Sequence, residues 1–290
     1  VQLVVRKALP ADGATLVRFL DAAYRGGYSP TFDRDGPLQP NDLWWVQSEK
    51  DVEVIEIDRT AAGALVIGRH RGQWLVEELL LPGFGAYPAR TQQAVLQRTS
   101  AHLAARFQRG GQASLLLRAA ETNSFALALA GRMDAVFANA LLVFRYRGPR
   151  RPTVRVPEGY QLARATPAEA RAVGRLARET IPDRSRTDEI ERVLGTKDGR
   201  GYVATRNGVL VGFAIVETRA GRGDWHVGVR DSHRRCGVGR ALATQVLAAL
   251  SARERAPFAT VWALDPVAGG FLSSLGYEVE RSFLYLERSL

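Results

Sequence analysis

Apolar positions along the chain switch between a period of two and a period near 3.6 residues, and each switch predicts a change of element. Trp225, Val227 and Val229 alternate with small or polar residues, as a half-buried strand requires. A basic, glycine-bearing turn follows, Arg234-Arg235-Cys236-Gly237-Val238-Gly239. Apolar residues then return at Leu242, Val246, Ala249 and Leu250, at helical spacing. The same alternation opens the chain. Val4-Val5-Arg6-Lys7-Ala8-Leu9 reads as a strand stopped by Pro10-Ala11-Asp12, with proline at a helix start, and the helix carries Leu16, Phe19 and Leu20 on one side.

That opening plan recurs. Gln161-Leu162-Ala163-Arg164-Ala165-Thr166 meets Pro167-Ala168-Glu169, and the helix after it places Val173, Leu176 and Ala177 together. Ala62-Gly63-Ala64-Leu65-Val66-Ile67 matches Val211-Gly212-Phe213-Ala214-Ile215-Val216, Trp74-Leu75-Val76 matches Trp225-His226-Val227, and Asn123-x-x-Ala126 matches Asp265-x-x-Ala268. The landmarks keep their order, which is an internal duplication and not a short-period solenoid. Gly148-Pro149-Arg150-Arg151-Pro152 reads as the join. The chain therefore divides into a first module at 1–148, a linker at 149–157 and a second module at 158–290.

Composition narrows the class. With 290 residues, 46% apolar and 24% charged, the chain has globular composition and length for two domains. One cysteine excludes an internal disulfide framework and fits a reducing cytoplasm. Val1-Gln2-Leu3-Val4-Val5-Arg6 resembles a strand and not a secretory leader. The longest apolar run, Phe125 to Phe144, is broken by Arg132, Asp134 and Asn139, so no membrane span is expected. The formal charge of +10 rests on arginine, with lysine only at positions 7, 50 and 197, and it favours polyanionic partners. Nucleic acid is disfavoured: no basic run interleaves with aromatics, and the densest cluster, Arg145-x-Arg147-x-x-Arg150-Arg151, falls among glycine and proline. Nothing in the pattern sets an oligomeric state.

The turn at 234–239 has the chemistry of an anion site. Free N–H groups and a positive dipole end gather at a helix N-terminus. Gly237 and Gly239 allow close backbone approach, and Arg234, Arg235 and Arg240 offer cationic forks. No Lys-Ser/Thr pair follows Gly239, which excludes a P-loop, and a dinucleotide fingerprint needs a third glycine and an earlier position. What remains is Arg-x-x-Gly-x-Gly between strand and helix. It resembles the pyrophosphate motif of the GNAT superfamily of acyl-CoA-dependent N-acyltransferases; the plainer alternative is a glycine turn capping a surface helix. The downstream sequence strengthens the resemblance. A strand-like Phe258-Ala259-Thr260-Val261-Trp262-Ala263-Leu264 leads to Asp265-x-x-Ala268 and Phe271-Leu272-x-x-Leu275-Gly276-Tyr277, in the family's order and spacing. Asp265 stands where the family has Asn, and Leu272 where it usually has Tyr.

The resemblance implies an α/β fold of two tandem GNAT modules, each a mixed, mostly antiparallel twisted sheet flanked by helices. The layout is similar to the mycothiol synthase type, whose C-terminal copy is the acetyltransferase; residues that would mark mycothiol chemistry are not shared. It implies acetyl-CoA as acyl donor, no metal, and direct transfer to a primary amine. Arg234, Arg235, Cys236, Gly237, Val238, Gly239 and Arg240 would hold the pyrophosphate, with Cys236 acting through its backbone. Val227, Gly228 and Val229 would pair with the pantetheine arm, and Asp265 would belong to the same donor site. Gly228 also reads as a bulge splaying the strand. For the general base, Asp224 and His226 share a strand face and Glu217 is a third candidate. For the general acid, Leu272 has no proton to give, Tyr277 reads as a packing residue, Tyr285 as facing either way, and water is the remaining source.

In the first copy the corresponding turn, Pro82-Gly83-Phe84-Gly85-Ala86-Tyr87-Pro88, lacks the motif, and its prolines and aromatics would crowd a pyrophosphate. The acceptor cleft is expected from Thr180 to Leu194 and Glu278 to Leu286, where acids and arginines mix; a small amine is the expected acceptor. Two other classes make different demands. A non-catalytic acyl-CoA sensor or assembly protein binds CoA without turnover, and a nucleic-acid module binds with a steep salt dependence.

Overall fold

The computed structural model describes residues 1–25, 51–70, 73–149, 153–180, 193–194, 199–219, 222–251 and 258–290, with the side chains of 24–25, 70, 199, 217–219, 222–224, 251 and 258 outside the description. Two compact units emerge, neither contiguous in sequence. The first comprises Val1–Val143, Val261–Pro266 and Glu280–Leu290; the second comprises Phe144–Thr260 and Val267–Val279.

In the first unit, β1 (Leu3–Lys7), β2 (Asp51–Ile57), β3 (Thr60–His70) and β4 (Gln73–Leu80) form an antiparallel meander, which β5 (Ser114–Ala120) joins parallel to β4 at Leu75↔Leu116 and Val76↔Leu117. The next neighbour of β5 is the last strand of the chain, β12 (Tyr277–Ser289), antiparallel from Phe283↔Ala120 to Ser289↔Ser114. β6 (Val136–Tyr146) and then β11 (Phe258–Trp262) complete the sheet order. Strand alternation sorts the core onto two faces. Val52, Val54, Ala64, Val66 and Leu80 pack with Leu16, Leu20 and Ala23 of α1 (Gly13–Arg25). Ile55, Leu65, Ile67, Val76 and Leu79 pack with Val95, Leu103 and Phe107 of α2 (Ala89–Arg109) and Phe125 and Leu129 of α3 (Ser124–Arg132).

A charged group also lies on the α2 side. Glu53, 3% exposed, accepts from His102 Nε2 at 2.8 Å and pairs with Arg106, which reaches Asp51 at 2.6 Å. Burial pushes the Glu53 carboxyl up, but His102 and Arg106 outweigh it and hold it below the ordinary value. α2 is thus fastened to β2 by charge as well as by apolar contact.

The second unit repeats the plan. β7 (Gln161–Arg164), β8 (Gly199–Arg206), β9 (Val209–Arg219) and β10 (Arg222–Val229) form an antiparallel sheet in the order β10-β9-β8-β7. α4 (Ala170–Thr180) packs Val173, Leu176 and Ala177 on Phe213 and Ile215, while α5 (Val238–Ser251) packs Val238, Leu242, Val246 and Leu250 on Ala204, Val211, Ala214 and Val216. α6 (Pro266–Ser274) follows β11. The duplication persists in detail. Both first helices follow a short 3-10 turn that opens on proline and carries an acid accepting from the N–H before it: Asp12 from Leu9 and Glu169 from Thr166, each at 2.7 Å. Both first hairpins turn on two residues with positive φ, Asp58-Arg59 and Asn207-Gly208, as a tight two-residue connection demands.

Each unit draws on both halves of the chain. The end of β6, from Phe144, belongs to the second unit, and the end of β12, from Glu280, belongs to the first. The physical reason is pairing: β5 needs an antiparallel neighbour, and Phe283 to Ser289 supply it.

Candidate functional site

The register of β10 on β9 runs without a shift from Arg222↔Arg219 to Val229↔Gly212, with Gly228 opposite Phe213. Gly228 is therefore no bulge, which corrects that expectation. A Cβ there would overlap the Phe213 ring and Thr180 Oγ1, so glycine is needed for α4 to close on the strand. The bulge occurs in the first copy, where the ladder steps from Val66↔Glu78 to Ile67↔Val76 and leaves Glu77 extra. Within its four-stranded sheet β10 is an edge, so alternate backbone N–H and C=O groups of 222–229 have no strand partner on that side among the described residues.

The two faces of β10 differ. Trp225, Val227 and Val229 pack on the α5 core. His226 and Gly228 lie on the α4 side, and His226 is half-buried. Asp224 pairs with Glu217 in the backbone register; both side chains fall outside the described residues.

The connection to α5 is compact. Asp231–His233 forms a short 3-10 turn, Arg235 (φ 61°) and Gly237 (φ 83°) adopt left-handed backbone, and α5 starts at Val238. Ala241 N–H donates to Gly237 O at 3.0 Å, so the N–H groups of Val238, Gly239 and Arg240 precede the first helical bond. Glycine is required at 237 by its φ, and a Cβ would also press Pro157 Cγ at 3.2 Å. At Gly239 the fold itself makes no such demand: a Cβ would meet only ordinary contacts, Val229 at 3.5 Å and Phe271 at 3.8 Å. The missing side chain there leaves room at the helix start, as a bound anion needs.

The arginines divide by task. Arg234 is occupied within the turn, pairing with Asp231 at 2.8 Å and donating to Val229 O at 3.1 Å. Arg235 and Arg240 are exposed, and neither bonds a described residue. Arg230, just before the turn, reaches Glu179 of α4 at 3.5 Å. Cys236 is exposed, with its thiol 3.4 Å from Arg234 O.

Two residues that sequence reasoning did not single out brace this turn. Tyr160 Oη lies 3.0 Å from His233 Nδ1, with the rings edge-on at 5.8 Å, and Arg206 sits over the Tyr160 ring at 5.3 Å. Desolvation pushes the Tyr160 phenol above its ordinary value, Cys236 acts in the same direction, and Arg206 opposes both. No sequence signal pointed here, because the contact spans 73 positions.

The proton-donor candidates fall out differently. Leu272 is buried in α6. Tyr277 is 2% exposed between Tyr146 and Trp225, and burial drives its pKa well above the ordinary tyrosine value. Tyr285 belongs to the first unit, where its ring meets Trp262 edge-on at 4.8 Å; burial raises its pKa while Arg118 opposes. Asp265 is exposed at the start of α6 and clusters with the first unit. Residues 181–192 of the expected acceptor cleft lie outside the described residues, and 280–286 belong to the first unit.

The equivalent turn in the first copy packs onto its own module. Phe84 is buried against Phe125 at 5.3 Å, and Gln92 Nε2 donates to Tyr87 O at 2.7 Å, folding the turn onto the start of α2. Beside it, the carbonyls of β4 are taken. Arg118 Nε donates to Glu77 O at 2.9 Å, and Asn123 Nδ2 donates to Leu79 O at 2.8 Å. Arg118 and Glu78 form a buried pair at 2.6 Å. Burial opposes the Arg118 charge, but the neighbouring carboxylates hold its pKa above the ordinary value.

Among the described residues no helix is long and apolar enough to cross a membrane. Residues 197–279 match the family model for an acetyltransferase (GNAT) domain. No curated protein matches the sequence. Among solved structures, the whole chain resembles a GCN5-related N-acetyltransferase from Sphaerobacter thermophilus, with TM-score 0.68 and 19% identity over 99% of this chain and 95% of that one. A tandem GNAT protein from the clavulanic acid biosynthesis pathway gives TM-score 0.66 and 18% identity, covering 99% and 98%. A GNAT-family acetyltransferase from Colwellia psychrerythraea gives 0.64 and 13%, covering 99% and 100%. These likenesses run the length of the duplication, whereas the family model falls on the copy that carries the glycine turn. Residues 197–279 thus match a GNAT acetyltransferase domain, and the chain shares its α/β fold over 99% of its length with GNAT structures.

Proposed function

We propose that the second module transfers an acetyl group from acetyl-CoA to a primary amine of a small molecule, and that the first module binds no CoA. One observation carries the reading: of two copies of the same strand–turn–helix passage, one enters its helix from a left-handed glycine flanked by exposed arginines, and the other from a proline, with a phenylalanine of its turn packed inward. Bound acetyl-CoA supplies an activated thioester. The amides at the start of α5, with the Arg235 and Arg240 side chains, bind the pyrophosphate. Arg234, Cys236, Gly237 and Val238 act through the shape of the turn. The open side of β10 at Val227–Val229 pairs with the pantetheine amides and directs an N–H at the thioester oxygen.

His226, on the α4 side of β10, takes the amine proton, with Asp224 the alternative base. With Leu272 apolar and Tyr277 buried and hard to ionise, the leaving thiolate takes its proton from water. The absence of a side-chain acid at that position favours one second reading, an acyl-CoA sensor that binds without turnover. A cytoplasmic location follows from the acyl donor and the single free thiol.

Calorimetry with acetyl-CoA is expected to give one site per chain. Gly237→Val should weaken it about a hundredfold, since it places a β-branched residue at positive φ and against Pro157. Two equivalent sites would refute the assignment to the second module. An acetyl-CoA consumption screen over amino acids, aminoglycosides, amino sugars, polyamines and peptides then decides between enzyme and sensor. Turnover on a small amine that His226→Gln or Asp224→Asn removes identifies the base; turnover confined to a lysine-bearing protein overturns the small-amine reading.

A further inference from the structure

The stretch that leads from the connection between the modules into β7 ends against the glycine turn. Tyr160 N–H donates to Pro157 O at 3.2 Å, closing a tight loop that turns on Gly159 at φ 76°. This loop meets the glycine turn at two separated points. Pro157 Cγ lies 3.2 Å from where a Cβ of Gly237 would stand. The Tyr160 hydroxyl lies 3.0 Å from His233 Nδ1, one residue ahead of Arg234. The Tyr160 ring is held in turn by Arg206 of β8 and by partial packing against the core that includes Val238 and Leu242.

We propose that Tyr160 and Pro157 are positioning residues for the cofactor turn, so that the end of the intermodule connection sets the affinity of the pyrophosphate site. This rests on the reading that the turn at 234–239 holds the pyrophosphate. Left-handed backbone at Arg235 and Gly237 is only one of several conformations open to an exposed loop. Holding both ends of that loop from outside lowers the ordering cost on binding. His233 fixes the entrance and Pro157 backs the exit, while neither Tyr160 nor Pro157 occupies the start of α5 itself. The Tyr160 hydroxyl can donate to or accept from His233 Nδ1, according to the imidazole tautomer.

The test measures binding of CoA, dephospho-CoA and pantetheine to the full chain and to Tyr160→Phe, which keeps the ring and removes only the hydroxyl. We expect about three- to tenfold weaker binding of both pyrophosphate-bearing ligands, the size of one lost hydrogen bond, and unchanged binding of pantetheine. In a double-mutant cycle, His233→Ala should add little once Tyr160→Phe is present. Pro157→Gly, with its pocket against Gly237 relaxed, should show the same selectivity between ligands. Unchanged CoA affinity in Tyr160→Phe and Pro157→Gly overturns the proposal, and so does an equal loss for pantetheine, which would mark general loosening of the unit. If the unaltered chain binds no CoA, the pyrophosphate reading falls and this inference with it.

Discussion

The passages from β4 to α2 and from β10 to α5 occupy the same place in two copies of one plan, and they have been resolved in opposite ways. In the first, Phe84 turns inward onto Phe125, Gln92 fastens the turn, and Arg118 and Asn123 take the strand carbonyls. In the second, the turn is braced from behind, the helix begins on a left-handed glycine, and two arginines point to solvent. A helix start has unsatisfied donors in both cases. What differs is the turn: one is tucked onto its own module through Phe84 and Gln92, and the other leaves Arg234 to Gly237 exposed.

The largest expected effect is on the closed copy. Phe84→Ala removes a buried ring and should destabilise the first module by about 3–5 kcal/mol in chemical denaturation, while CoA affinity stays unchanged. A loss of CoA binding in this variant would break the division of roles. Next is the charged fastening of α2. Glu53→Gln should cost about 2 kcal/mol, since His102 and Arg106 would lose a charged acceptor. The folded Glu53 carboxyl is held below its ordinary value of 4.5. Its contribution is therefore present above pH 4.5 and lost as pH falls through the folded value. The parent chain should lose melting temperature more steeply than Glu53→Gln in that acid range, and parallel curves would remove the carboxylate from the account.

The smallest effects give the sharpest contrast. Gly85→Ala and Gly239→Ala each add a methyl with no severe clash, the first having no neighbour within 4 Å. Both should change stability by less than about 0.5 kcal/mol. Only Gly239→Ala should weaken CoA, by about tenfold, because only there does the methyl enter ligand space. Equal indifference in the two variants would mean that Gly239 is not near the ligand.

How much of this was legible depended on the range of the interaction. Pro10 and Pro167, the hairpin turns and the apolar stripes at Leu16 or Val173 act within a few residues, so periodicity and turn chemistry report them. The family motif was legible because its glycines answer to backbone φ and to space at a helix start. Gly228 was legible as special and misread as to cause: a bulge and a close helix crossing both call for glycine, and only Thr180 and Phe213 separate them. The Tyr160–His233 tie and the Arg118 and Asn123 plugs join residues 40 or more positions apart. So does the pairing of Phe283–Ser289 with Ser114–Ala120, since an alternating pattern says that a strand has a buried face and nothing of which strand lies beside it.

That last pairing has a consequence for how the molecule is made. Synthesis proceeds from the N-terminus, so β1 to β5 leave the ribosome long before residues 280–289 exist. Until then the β5 edge, with Leu115 and Leu117 in line, stands open as a template for any extended segment, including β5 of another nascent copy. The first module cannot finish ahead of the second as two beads on a string would. A chain cut short before Glu280 leaves β5 without its antiparallel neighbour, however intact the sequence of its first half.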